Sequence, residues 1–312
     1  MCLDFSKTLY GLAPSRLMER LTLPDQAESV ENCAVSVIML TRDSLRTLSS
    51  CLNSVIRQHP REIIAVDGGS QDGTLDILKD CGVLVILDPS MSLGHSRQMG
   101  VKAASGDYVM FVDSDVELTR DCIGQMRHEL ERFGWAGIHA QMMSRENLSY
   151  WQRSEDVRFS LHFNKVGPID CIPTTAALFR RSILLEHPFD SSFAESAEDV
   201  DLCWSLGRNK LRVGVSSAAA YHTYRRSFLS FFQQRFRNGK GSARLALKCR
   251  STLMLLSPLE NMTSQCMRSI FAGRPNLVPY WIVYGVAEFS GVLALLSRRR
   301  HQGQSQIKVK HR

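Results

Sequence analysis

Between Val35 and Val112 four short apolar runs, rich in branched side chains, recur along the chain, and each breaks off in polar or small residues. Val35–Leu40 leads into Thr41-Arg42-Asp43, Glu62–Val66 into Asp67-Gly68, Val83–Leu87 into Asp88, and Asp107–Val112 into Asp113-Ser114-Asp115. Spacers of roughly ten to fifteen residues with helical patterning separate the runs. Strands alternating with such spacers read as an α/β fold with a mostly parallel central sheet flanked by helices on both faces. In sheets of this kind a ligand sits beyond the carboxyl ends of the strands. The pattern therefore places a site, and it puts several carboxylates in it.

Asp113-x-Asp115 at the end of a buried strand suits a hard cation such as Mn2+ or Mg2+, which takes carboxylate oxygens and leaves positions for substrate phosphates. Without a cation these carboxylates would repel a diphosphate. Two aspartates in a surface turn remain the plain alternative for the tripeptide alone. A second acidic group, Glu195-Ser-Ala-Glu198-Asp199-Val-Asp201, precedes the apolar spacing of a helix. It reads either as capping of a first helical turn or as the source of a general base. His222, after a further strand-like run, is either structural or an imidazole ligand to the same cation.

Taken in order, these pieces resemble the family-2 glycosyltransferases, inverting enzymes of the GT-A nucleotide-diphospho-sugar transferase fold. The likeness runs from about Ala34 to Tyr224. It is carried by Val35–Asp43 with Cys51-Leu-Asn-Ser and Gln58, by Val66-Asp67-Gly-Gly-Ser-Gln-Asp72-Gly-Thr, and by Leu93-Gly-His-Ser-Arg97-Gln-Met-Gly. Ala104-Ser-Gly-Asp-Tyr-Val, Phe111-Val-Asp113-Ser-Asp115, Leu178-Phe-Arg-Arg181 and Glu198-Asp199-Val-Asp-Leu complete it. The resemblance implies a glycosyltransferase domain over residues 32–225, behind an extension at 1–31. It also implies roles: Thr41, Asp43, Asp67, Arg97 and Asp113 around the nucleotide; Asp115, Asp113 and His222 on Mn2+ or Mg2+; Asp199 as general base with Glu198 beside it. Three positions depart from the family pattern. Gly68 stands for a second aspartate, Asp43 for an asparagine and Gln98 for the asparagine after Arg97. These leave the nucleotide base open.

Charge is distributed unevenly. Residues 1–201 carry 19 Lys/Arg against 29 Asp/Glu, whereas residues 202–312 carry 19 against only Glu260 and Glu288. A chain of 312 residues, 44% hydrophobic and 22% charged, excludes a disordered polyelectrolyte or a disulfide-stapled miniprotein. The basic region, residues 226–312, interleaves Phe228, Phe231, Phe232 and Phe236 with its cations at helical spacing. Two readings stay open for it: a core stripe with a solvated basic face, or a surface for diphosphate and anionic lipid. Nucleic acid is disfavoured, because no nucleic-acid module accompanies the charge.

Residues 277–296 are long enough to span a bilayer, but Glu288 lies mid-segment and arginines flank both ends. An interfacial or re-entrant helix, with Tyr280, Trp281 and Tyr284 at headgroup level, and a helix packed on the domain core are the two readings of this segment. Nine scattered cysteines without a C-x-x-C pair read as free thiols in a reducing compartment. A signal peptide is not expected, since Asp4 and Lys7 interrupt the first residues.

The combined expectation is a metal-dependent, inverting transferase of the cytoplasm, peripheral to the cytoplasmic face of the membrane. It would move a sugar from a nucleotide-diphosphate donor to a glycan or lipid-linked acceptor, in cell-envelope polysaccharide synthesis. A polyprenyl-phosphate sugar synthase and a non-catalytic nucleotide-sugar-binding scaffold are the alternatives.

Overall fold

In the computed structural model, which describes residues 32–310 apart from Met91, Glu146 and Asn147, the four apolar runs are strands. They are β1 (Asn32–Thr41), β2 (Pro60–Asp67), β3 (Leu84–Leu87) and β4 (Tyr108–Val112), joined by α1 (Leu45–Ile56), α2 (Thr74–Asp80) and α3 (Leu93–Ala103). The pairings of β1 with β2, β1 with β4 and β2 with β3 are parallel. The expected extension at 1–31 lies outside the described residues.

Beyond β4 the sheet turns mixed. The later elements are β5 (Val116–Leu118), α4 (Cys122–Phe133), β6 (Gly137–Met143), α5 (Tyr150–His162), β7 (Gly167–Ile169), β8 (Ala176–Arg180), α6 (Arg181–Glu186), α7 (Glu198–Arg208) and β9 (Val213–His222). The strand order is β3-β2-β1-β4-β8-β6-β9-β5, with β7 also paired to β9. Antiparallel β8 sits between β4 and β6, so only the first half of the sheet has the regular parallel alternation of the sequence.

Burial explains why β1 reads as a continuous apolar run. Val35, Val37 and Met39 enter one core with Leu48, Cys51, Leu52 and Val55 of α1. Ile38, on the other face, enters a second core with Val101 of α3 and Leu202, Cys203 and Leu206 of α7. A strand buried on both faces is apolar nearly throughout, and its one polar side chain within the run, Ser36, is buried and donates to Glu62. Each fully buried aliphatic side chain stabilises the fold by about 1.5–3 kcal/mol. The same sheet therefore carries the ends of β1, β2 and β4 together to one edge.

Three helices complete the described chain: α8 (Phe228–Lys248), α9 (Ser257–Phe271) and α10 (Val278–Lys310). Helices α8 and α10 approach to backbone contact. A methyl group on Gly239 would overlap the Glu288 carbonyl oxygen, and one on Gly291 the Phe236 carbonyl oxygen. Between α5, α8 and α10 lies a buried ionic knot. Glu155 accepts from Tyr280 Oη (2.5 Å) and pairs with Arg158 (2.9 Å). Arg235 stands 3.9 Å from both Glu155 and Glu288.

By length and composition Pro275–Arg298 is the one described segment apolar enough to cross a membrane, and half of it is buried. Its aromatics settle one expectation differently. Tyr280 and Trp281 are buried with Phe231 of α8 and packed against Trp151 of α5, so they do not lie at headgroup level. The basic stretch is not simply a solvated face either: Arg235 and Lys240 are buried in ion pairs.

Candidate active site

At the carboxyl edge of the sheet, Thr41 Oγ1 donates to Asp67 Oδ2 at 2.7 Å, tying β1 to β2. Asp67 also accepts from the Gly69 and Ser70 amides and the Ser70 hydroxyl, at 2.6–2.8 Å. It is wholly buried, with both oxygens engaged by its own neighbourhood. Its visible work is to shape the Gly68–Ser70 turn. Asp43, exposed and at φ 46°, accepts from the Gln71 amide at 2.9 Å while its own amide donates to Ser70 Oγ. The two loops thus form one wall of a cleft. Asp88, at the end of β3, is consumed similarly. It accepts from Ser96 Oγ at 2.6 Å and faces His95 Nδ1 at 3.1 Å. Despite its burial, hydrogen bonds from Ser90, Ser96 and His95 lower its carboxyl to about 2.

Asp113, Ser114 and Asp115 form the turn between β4 and β5. The Asp113 amide donates to Thr175 O and the Thr223 amide to Asp115 O, both at 2.9 Å, so β8 and the end of β9 clamp the turn from two sides. Ser114 Oγ lies 2.9 Å from Ser44 Oγ of the first loop. His222, the last residue of β9, places Nε2 3.4 Å from Asp115 Oδ1, while its Nδ1 is buried without a polar partner among the described residues. Arg225 reaches 4.0 Å from Asp115 Oδ2.

Glu198 and Asp199 open α7. Ala197 before them holds a left-handed conformation at φ 69°, a strained state for a residue with a Cβ. Arg97 of α3 is the link between the two acidic groups. It pairs with Glu198 through Nη1, and its Nη2 lies 3.7 Å from Asp113 Oδ1. Helix α8 supports the loop from behind: Lys240 pairs with Glu195 at 2.6 Å, and Ser196 Oγ donates to Asn238 O at 3.2 Å.

The charges are unbalanced. Burial pushes the Asp113 carboxyl up to about 6, against the pull of Arg97 and His222, with Asp115 and Asp199 adding to the rise. Its side chain nevertheless keeps 36% of its surface open to the cleft. Burial likewise raises Glu198 to about 7 and raises Asp199, with Arg97 opposing both. Asp115 moves the other way, because His222 and Arg225 outweigh its burial. Glu198 is buried and tied to Arg97, whereas Asp199 is half-buried, which makes Asp199 the freer carboxylate of the pair.

Two carboxylates and an imidazole are the right donor chemistry for a hard divalent cation. Among the described residues, no three His, Cys, Asp or Glu side chains already stand as a metal shell. Asp115 and His222 do meet, and the surplus negative charge around them suits a cation. Structure also adds partners that the sequence does not show. Arg225 beside Asp115 and Lys240 on Glu195 are two cases. It adds buried His139 as well, with both ring nitrogens unpartnered among the described residues and its basicity lowered to about 3 by burial and by His222. An isolated histidine inside a strand gives no periodic signal that would have singled it out.

Residues 36–187 match the family described as Glycosyl transferase family 2. This part of the chain is a family-2 glycosyltransferase domain. A TPR repeat-containing protein of Synechococcus elongatus is 32% identical over 99 residues, which is 31% of this chain and 24% of that protein. The cholesterol galactosyltransferase of Borreliella burgdorferi is 32% identical over 93 residues, 28% of this chain and 26% of that protein. The chain thus spans about a quarter of the length of these two relatives. A mannosyltransferase of Pyrobaculum calidifontis, solved with GDP-Man and Mn2+, superposes with a TM-score of 0.62 at 15% identity, covering 90% of this chain and 93% of its own. That likeness is one of fold, and the fold is GT-A.

Proposed function

We propose that the protein is a metal-dependent, inverting glycosyltransferase that moves a sugar from a nucleotide-diphosphate donor to an acceptor hydroxyl. The observation that carries the reading is Arg97, which stands between Asp113, in the turn it shares with Asp115, and Glu198, the neighbour of Asp199, at the edge where β4 ends. The mannosyltransferase of like fold, solved with GDP-Man and Mn2+, supports a nucleotide sugar and a divalent cation.

On this reading Thr41, Asp43 and Asp67 form the nucleoside wall, Asp67 by fixing the loop geometry. Arg97 and Asp113 border the ribose and diphosphate. A Mn2+ or Mg2+ ion held by Asp115, Asp113 and His222 supplies neutralisation of the diphosphate charge. Asp199 takes the proton of the acceptor hydroxyl as its oxygen attacks the anomeric carbon from the face opposite the diphosphate. The bond to the diphosphate breaks, its electron pair leaves with the nucleotide, and the anomeric configuration inverts. A raised Asp199 pKa makes it a stronger base than a free aspartate. Glu198 holds Arg97 in place. The acceptor is a growing polysaccharide or a lipid-linked glycan, and the enzyme works in the cytoplasm at the membrane's cytoplasmic face.

A thermal-shift panel of nucleoside diphosphates and nucleotide sugars, with Mn2+ and with EDTA, tests the donor. A bound donor at a hundred times its Kd stabilises the fold by about 2.7 kcal/mol. Transfer by the preferred donor should yield product of inverted configuration by NMR. Retention of configuration, or binding without turnover to any acceptor, would sink the mechanism. Full activity of Asp199→Asn toward a polyprenyl phosphate would point instead to the synthase chemistry, in which the acceptor phosphate needs no base.

A further inference from the structure

We propose that the outward face of α10 docks on the surface of an anionic lipid bilayer and lies along its plane. This deepens the membrane placement proposed above and does not depend on the transfer chemistry.

The inner face of α10 is already occupied. Tyr280, Trp281, Ala287, Glu288 and Val292 are buried against the domain, and Glu288 is held by Arg235. A helix crossing the bilayer would have to bring the Arg235–Glu155–Arg158 knot with it or abandon it. The opposite face is different. Ile282, Val286 and Leu293 are exposed at spacings of four and seven residues, with half-buried Phe289 between them. They form one apolar row about 17 Å long at 1.5 Å per residue. At the start of the helix pair, the end of α9 adds exposed Met267, Ile270 and Phe271.

Charge identifies the occupant. Exposed Arg268 and half-buried Arg274 stand at one end of the row, and exposed Arg298 at the other, followed in sequence by Arg299 and Arg300. Glu288, the only acid in the sequence of α10, points inward, and Glu260 is the only acid of α9. A second copy paired head to tail along the row would set the Arg268 and Arg274 end against Arg298, cation against cation. Anionic headgroups neutralise both ends while the row enters the headgroup–acyl boundary.

Flotation of the purified full chain with vesicles tests the proposal. The wild type should float with phosphatidylcholine vesicles containing a third phosphatidylglycerol, float poorly with phosphatidylcholine alone, and be released in part by high salt. The Ile282→Glu/Val286→Glu/Leu293→Glu variant should lose affinity on the order of a hundredfold. Arg268→Gln and Arg274→Gln, which leave the apolar row intact and cover the case where the triple variant does not fold, should each lose about fivefold. Unfolding midpoints and transfer to a soluble acceptor are read on every variant. Asp115→Ala should float like wild type even when it transfers nothing, which separates failure of docking from failure of the catalytic reading. Absence of flotation on anionic vesicles would overturn the proposal. So would equal affinity of wild type and the folded variants, or a wild-type dimer by light scattering that Val286→Glu splits without any vesicle binding.

Discussion

In the cleft at the end of β4 four carboxylates (Asp113, Asp115, Glu198, Asp199) face two arginines and a histidine, whereas between α5, α8 and α10 two carboxylates meet two arginines. Both clusters are largely removed from water, and removal from water alone disfavours every charge in them. Balance decides the outcome. In the knot, Arg158, Arg235 and the Tyr280 hydroxyl overcome the burial of Glu155 and bring its carboxyl down to about 2. In the cleft, burial raises Glu198 to about 7 although it touches Arg97, because Arg97 is shared with Asp113 and Asp199 adds its own repulsion. A compensated cluster holds helices together. An uncompensated one retains a demand for positive charge.

Substitutions in the cleft should separate the two most sharply. Asp115→Ala and Asp199→Asn are expected to lower transfer by about 10²–10⁴-fold. The Asp199→Asn midpoint should be unchanged or raised, since it removes a charge that burial disfavours, whereas Asp115→Ala should lower the midpoint slightly, since His222 and Arg225 favour that carboxylate. Activity near wild type, in a coupled assay of nucleoside diphosphate release, would show that the surplus charge has another use.

The knot should respond in the opposite sense. Glu155→Gln strands Arg158 and Arg235 and should cost about 3–5 kcal/mol in urea unfolding. A loss below about 1 kcal/mol would mean that the helices hold without it.

Glu288 lies at the edge of the knot, 3.9 Å from Arg235, and tests how far balance extends. Burial raises its carboxyl to about 7 from 4.5, with Arg235 opposing. The folded protein therefore keeps this proton longer than the unfolded chain. The group's contribution to stability falls as pH rises from 4.5 to 7 and is flat above. Glu288→Gln, which does not titrate, should match wild type near pH 4 and exceed it by about 1–3 kcal/mol at pH 8. Calorimetry at the two values reads the difference, and an equal gap at both would remove Glu288 from the account.

The smallest effect belongs to the backbone at the cleft. Ala197→Gly relieves the left-handed strain but loosens the unfolded chain, for a net gain under about 1 kcal/mol by thermal unfolding. A loss instead would place the strain elsewhere.

The parallel half of the fold was readable because β1 is buried on both faces, which writes Val35, Val37, Met39 and Ile38 as one apolar run. The acidic positions of the cleft were readable because they follow strand ends and a helix start, where chain direction alone brings them to one edge. Helix α10 was not. Periodicity separates its two faces, but Tyr280 and Trp281 are aromatic whether they meet lipid or Phe231, and only the partner helix decides. Arg235 and Lys240 were hidden for the same reason: a cation in a basic stretch looks solvated until an acid 80 or 45 residues away is found beside it. Antiparallel β8 was hidden too, since its pairing with β4 depends on a return of the chain that no local pattern records.

The glycine seam between α8 and α10 has a bearing on how this chain can be recombined. With Gly239 and Gly291 setting the helices at backbone contact, the two surfaces are moulded to one another and to Ser196 at the cleft. A chimera that joins this catalytic half to another protein's tail must cross over ahead of Ser227. One that crosses within α8 would inherit half of a lock without its key.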